Sequence, residues 1–223
     1  MSYVFQFGDV WNSWDELALG AWLTVRLSAL STVLGLLVAV ACALTKTSGP
    51  KFLRVLVDVY VEVIRNTPFL IQLFIVFFGF PVIGLRLEAD AAALLAMVIN
   101  LGAYATEIVR AGIESISRGH IEAAKALGLK PLQIFRHIIL LPAIRTVYPA
   151  LTSQFILLML NSSVCSTIAA SELTAAANDI QSRTFRSFEV YFVATGMYLA
   201  MSLAFSAVFA GIERTFLSRR GGE

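Results

Sequence analysis

Charge is scarce in this sequence. Of 223 residues only 14% are Asp, Glu, Lys or Arg, against 58% hydrophobic, a balance far from that of a water-soluble domain. Cysteine is nearly absent, and Cys42 and Cys165 both lie in apolar runs without framework spacing, so they read as small hydrophobes and not as a disulfide. The two histidines, His120 and His137, lack metal-ligand spacing, so no metal site is expected. No Ser/His/Asp or Cys/His arrangement points to nucleophilic catalysis. Each of the four lysines, Lys46, Lys51, Lys125 and Lys130, lacks the glycine-rich context of a phosphate loop, so the chain is not expected to be an enzyme that hydrolyses ATP by itself. There is no low-complexity tract and no internal repeat, whereas a secondary transporter usually folds from two related halves. The opening MSYVFQFGDVWNSWDE has no basic start, short apolar middle and small-residue cleavage site, so the first apolar segment is expected to be retained.

What the chain does have is long apolar runs. A spanning helix uses about 20 residues, and runs of that size fall at about 17–44, 53–80, 91–113, 147–170 and 188–212. The reading is all-α: a single membrane domain over 1–223 with five transmembrane helices and short connections. The second run is the least uniform, carrying Asp58, Glu62 and Arg65 before Asn66-Thr67-Pro68, and Pro68 is expected to kink it. Basic residues sort by side. Lys46, Lys51 and Arg54, then Arg110, Arg118, Lys125, Lys130, Arg136 and Arg145, then Arg214, Arg219 and Arg220 make up twelve of the seventeen. The positive-inside rule therefore puts the N-terminus outside and the C-terminus in the cytoplasm. Trp11, Trp14 and Trp22 gather where the first span would meet the outer interface.

The longest interior connection reads SISRGHIEAAKALGLKPLQIFRHIILLPAIR. Gly119 and Gly128 bracket a helix-forming run, Glu122 stands near its start where negative charge suits the helix dipole, and Gly128 is placed to end it. A short helix over about 119–128, outside the membrane, follows. Ala123, Ala124 and Leu127 would give it a low, smooth surface for another protein, or for packing on the membrane surface.

EAAKALG followed by the pair Leu141-Pro142 resembles the EAA motif of permease subunits of bacterial binding-protein-dependent ABC importers. The distance from Gly128 to Leu141 is one residue longer than the family's usual one. RNTPFLIQLFIVFFGFP from Arg65 to Pro81 and AYATEIVRAGIESI from Ala103 to Ile116 resemble the polar amino acid branch of that family, as does SELTAAA after the fourth span. The resemblance implies a type I ABC importer permease fold in a bacterial inner membrane, working as the transmembrane subunit of an ATP-driven importer of polar amino acids. It implies that the short helix is a coupling helix, with Glu122, Ala123, Ala124, Leu127 and Gly128 docking on an ATPase. The implied partners are two ATP-binding subunits, a second permease subunit (identical or homologous), an extracytoplasmic amino acid-binding protein and membrane lipid, with no nucleic acid. No cofactor belongs to this chain, ATP and Mg being bound by the ATPase.

Ionisable residues inside spans cost about 2.5 to 3.5 kcal/mol each and usually face a water-filled path or a partner. Glu107, in the third span, would meet the ammonium group of an amino acid, as the resemblance implies, or pair with Arg110 three residues on. Asn161, Ser162 and Ser163 would offer donors and acceptors to a substrate, or hold helices together. Many relatives carry a lysine-aspartate pair where this chain has Leu160-Asn161, which removes charge from the implied pocket. Asp58, Glu62 and Arg65 share one helix face and are expected to pair with one another. Two other classes of protein fit the apolar runs: a secondary transporter or channel, which predicts repeats and an ion site, and a non-transporting scaffold that recruits a cytoplasmic partner.

Overall fold

The computed structural model describes residues 4–217, and all regular structure among them is helical. After a short α1 (Gly8–Asn12), α2 runs unbroken over the 35 residues Trp14–Ser48. After Leu17 its buried residues are small and recur every three or four positions: Gly20, Thr24, Ser28, Ser31, Gly35, Ala39 and Ala43. Such a stripe lets a neighbouring backbone come close without any hydrophobic drive between helices. The chief neighbour is α5 (Ala89–Glu114). A Cβ on Gly35 would stand 2.9 Å from Leu101, and one on Gly102 would stand 2.9 Å from Val38.

These contacts, with Lys46 meeting Glu107, rise together in number, so α2 and α5 run in the same direction. The segment between them must therefore return across the bundle. It does so as a broken pair, α3 (Lys51–Arg65) and Phe69–Ile83, bent by 111°; the second piece is α4 (Phe69–Phe74) followed by a π turn (Ile75–Gly79) and a 3-10 turn (Phe80–Ile83). A kinked helix over 53–80 was the expectation, and two helices at a steep angle are what the chain forms. The cause is local. Pro68 has extended backbone (ψ 140) and no N–H to continue the ladder, and side chains take over the freed carbonyls. Asn66 Nδ2 donates to Glu62 O at 2.8 Å, Thr67 Oγ1 to Val63 O at 2.8 Å, and Gln72 Nε2 to Ile64 O at 2.7 Å. Asn100 Nδ2 on α5 donates to Gln72 Oε1 at 2.9 Å, so the break is fixed from outside as well.

Beyond α5 come α6 (Arg118–Ala126) and α7 (Pro131–Ile134), which continues through a π turn (Phe135–Ile139) into α8 (Leu140–Asn161) and a 3-10 turn (Ser162–Ile168). The fourth crossing thus belongs to a helical rod starting at Pro131, well before the apolar run at 147–170. Arg136, His137, Arg145 and two prolines make the stretch read as a connection, yet Pro131 sits where a helix starts and the π turn precedes Pro142, which has no N–H to give. Then α9 (Leu173–Thr184) lies against Gly20 of α2, whose Cβ would stand 3.0 Å from Leu173 Cα, and α10 (Ser187–Ile212) completes the bundle.

Four helices, Trp14–Ser48, Ala89–Glu114, Pro131–Ile168 and Ser187–Thr215, are long and apolar enough to cross a membrane, and the bent pair makes a fifth crossing. One apolar core joins Leu73 and Val76 to Ala92, Ala93, Met97 and Leu101 of α5 and Leu151 and Leu158 of α8. A second, at the end where α2 begins, unites Val10, Leu17, Leu173, Ile180 and Val190. Cys42 and Cys165 are both free.

The tightest inter-helix contact gives the first prediction. A Cβ on Gly112 of α5 would stand 2.1 Å from Val147 Cγ1 on α8, whereas one on Gly196 meets nothing within 4 Å. Gly112→Ala should lower stability by about 1–3 kcal/mol through overpacking, while Gly196→Ala should not. Denaturant titration in mixed micelles checks this, and equal midpoints for the two variants would contradict the packing.

Candidate functional site

The docking element expected at about 119–128 is α6, whose first residue is Arg118, so Gly119 lies inside the helix and does not bracket it. Its end is built as expected. Gly128 takes φ +76, Gly128 N donates to Lys125 O at 2.9 Å, and Leu129 N donates to Ala124 O at 3.1 Å. This pair of bonds closes the orphan carbonyls of the last turn. The expected smooth surface is divided. Glu122, Ala123, Leu127 and Gly128 are exposed, with Leu127 at 81%, but Ala124 is 3% exposed. Ala124 belongs to the inner face, where α6 packs on α7 and the π turn after it. The signal that would have found this is the spacing: one side of a nine-residue helix must be buried for the helix to hold its place. The same end of the bundle carries Lys46, Lys125, Lys130, Arg136 and Arg214; Arg219 and Arg220 lie outside the described residues.

Glu107 stands near this end of α5 and joins three helices. Its Oε1 accepts from Lys46 Nζ of α2 at 2.5 Å, and its Oε2 accepts from Arg110 at 2.7 Å. Lys46 also pairs with Asp58 of α3 at 2.8 Å, and Arg110 with Glu114 at 2.5 Å. Pairing with Arg110 is therefore real, and it is accompanied by a longer-range partner, Lys46, that sequence spacing does not reveal. The expected pairing among Asp58, Glu62 and Arg65 does not form. Asp58 turns to Lys46, Glu62 accepts from Asn66 Nδ2, and Arg65 lies over the ring of Tyr104 at 5.6 Å. A helix break at residue 66 leaves these side chains nearer to other helices than to one another.

Glu107 also lines an open groove of about 460 Å³ between the end of α3, α5 and α8, with Arg65, Tyr104, Thr146 and Gln154. Asn161 to Ser163 are not among its walls. Asn161 is the exposed last residue of α8. Ser162 Oγ is buried and donates to Met159 O at 2.7 Å, and Ser163 Oγ donates to Leu160 O at 2.8 Å. These two hydroxyls donate to their own helix end. Gln154, two turns earlier on α8, meets the groove, as does Thr146.

The chain is similar to known proteins in sequence and in fold. The family described as the inner membrane component of binding-protein-dependent transport systems matches residues 31–218. The L-cystine transport system permease protein TcyB of Bacillus subtilis is 36% identical, covering 90% of this chain and 86% of its own. The glutamine transport system permease protein GlnP of Escherichia coli is 32% identical, covering 94% of this chain and 97% of its own. A crystal structure of an amino acid ABC transporter with histidines is 34% identical, with a TM-score of 0.88 over 95% of this chain and 99% of that one.

At the opposite end of the bundle sits a buried carboxylate that the apolar runs gave no reason to notice. Glu172 caps α9: its Oε1 accepts from Ala175 N at 2.6 Å and its Oε2 from Tyr198 OH at 2.6 Å. Beside it Leu173 N donates to Thr24 Oγ1 at 3.0 Å, so α9 is tied to both α10 and α2. Burial pushes the Glu172 carboxyl up from 4.5, outweighing the hydrogen bonds that favour its charged form. A raised folded value means that its contribution to stability is full below 4.5 and is lost as pH climbs through that raised value. Amide exchange across α9, corrected for intrinsic rates, should therefore be better protected at about pH 4 than at about pH 8. In Glu172→Gln this pH dependence should vanish; an unchanged dependence in the variant would assign it to another group.

Proposed function

Because the chain belongs to the family of inner membrane components of binding-protein-dependent transport systems, we propose that it is the membrane subunit of an importer of polar amino acids, driven by a separate ATPase and supplied by an external binding protein. Support for the cargo comes from similarity to permeases named for glutamine and cystine transport and to an amino acid transporter. In this reading the basic end of the bundle faces the cytoplasm, so the N-terminus lies outside and the C-terminus inside a bacterial plasma membrane. Two ATPase subunits, holding ATP and Mg, meet two permease subunits at the α6 end. The largely exposed α10 is left for lipid or for the second permease subunit.

The observation that carries the proposal is α6 itself: nine residues, rigidly ended by Gly128 at φ +76, with Glu122, Ala123 and Leu127 turned outward beyond the end of α5. A connection that only joined spans would not need an apolar knob in water. ATP binding would bring the ATPase pair together, press on both α6 helices and turn the central path outward; hydrolysis would reverse this. Coupling requires that the ATPase contact α6 differently in the two states. Along the path, Glu107 is the group that meets the substrate ammonium, exchanging it against Lys46 and Arg110.

Glu122→Lys should weaken docking by reversing charge on the exposed face. Gly128→Pro should misplace the helix, because proline is held near φ −65 and this position needs +76. In proteoliposomes with the ATPase and binding protein, both variants should insert normally while uptake per ATP hydrolysed falls about tenfold or more. Unchanged uptake in both would overturn the docking role.

A further inference from the structure

The groove beside Glu107 has one cation on its walls, Arg65. Arg65 is the last residue of α3, at the break of the bent crossing. Its guanidinium lies 5.6 Å from the centre of the Tyr104 ring, and Tyr104 stands ten residues before the end of α5 at Glu114, about 15 Å along the helix. The guanidinium is thus held at the break of the crossing, about one helical turn along α5 from Glu107, and Arg65 is exposed to the groove. Among the described residues Arg65 has no ion-pair partner, because every carboxylate near the groove is taken up by Lys46, by Arg110 or, for Glu62, by Asn66. On the facing wall Gln154 is half-buried, and among the described residues its amide has no hydrogen-bond partner.

A guanidinium within a membrane crossing is costly unless it faces a watery path or a counter-ion. Stacking on an aromatic ring holds it in place and leaves its edge donors free, in the forked geometry that matches a carboxylate bidentately. We propose that Arg65 binds the carboxylate of the transported amino acid, with the Gln154 amide as a second donor. This rests on the reading of the chain as an amino acid permease and adds the other half of the site: Glu107 meets the ammonium at one end of the groove, and Arg65 and Gln154 meet the carboxylate at the other. A zwitterion then satisfies both ends, whereas a simple amine or a simple acid leaves the charge at one end without its partner. The groove would discriminate for the backbone of an amino acid and leave choice of side chain to other surfaces.

The test uses the permease–ATPase complex in detergent, without binding protein, and measures binding of L-glutamine, L-cystine and L-histidine, each beside its decarboxylated amine. Uptake of the same three compounds is followed in proteoliposomes with the binding protein. For whichever amino acid the wild type carries, Arg65→Gln should weaken binding about tenfold or more. Arg65→Lys, which keeps the charge but loses the fork, should fall between. Binding of the decarboxylated amine, already lacking the carboxylate, should be the same in wild type and Arg65→Gln. Equal loss for the amino acid and its amine would make Arg65 a packing residue, and no loss for either would remove it from the site. If the wild type binds and imports none of the three, amino acid transport itself fails as a reading, and this inference fails with it.

Discussion

A carboxylate inside an apolar bundle has to be neutralised where it stands, and the way this chain neutralises Glu107 organises the end of the molecule around it. Two cations from different helices, Lys46 of α2 and Arg110 of α5, each take one of its oxygens. Lys46 reaches on to Asp58 of α3, so the three helices share one alternating set of charges. Removing Glu107 would leave Lys46 and Arg110 facing each other with less compensation in a half-buried position, a greater cost than the modest worth of a solvated surface pair. Direction and register of α2 against α5 are set by the same constraint, since the small-residue stripe would tolerate sliding that the Lys46–Glu107 contact does not.

The break in the second crossing answers a related demand on the backbone. Lipid offers no hydrogen bonds, so a helix that stops inside a membrane must satisfy its last carbonyls from its own side chains or its neighbours. Asn66, Thr67 and Gln72 do this, and Asn100 holds Gln72. The steep turn carries α3 away from the bundle, leaving much of its surface open, and delivers Arg65 to Tyr104. Broken helix, ring and groove are consequences of one proline and the polar side chains that stabilise its vicinity.

Much of this was legible before any coordinates. Helices α2, α5 and α10 follow from long apolar runs with few charges, and the end of α6 follows from Gly128, because an αL residue there is what glycine permits. The rod from Pro131 was not legible, because prolines and basic residues lower local hydropathy even where a π turn keeps the chain helical. Nor was Lys46–Glu107: a contact 61 residues apart leaves no periodic trace. The local bonds of Ser162 and Ser163 were not legible either, because sequence displays hydroxyls without showing that the carbonyls of Met159 and Leu160 lie within their reach. Ala124 looked like surface for a different reason, since alanine is equally at home on either face.

Burial of Ala124 settles how α6 is connected to everything else. The helix leaves α5 at Glu114 through three residues, and its inner face rests on α7 and the π turn. From there Pro131 to Ile168 is helical throughout, with Val147 pressed against Gly112. A force on the exposed face of α6 therefore reaches the bundle by two routes: through the backbone into α5, next to the Glu107 charges, and through packing into the foot of α8. Both helices border the groove that holds Glu107, Arg65 and Gln154. A helix loosely tethered by flexible loops would dissipate such a displacement. One seated on the rod that forms a wall of the groove has to change the shape of that groove when it moves.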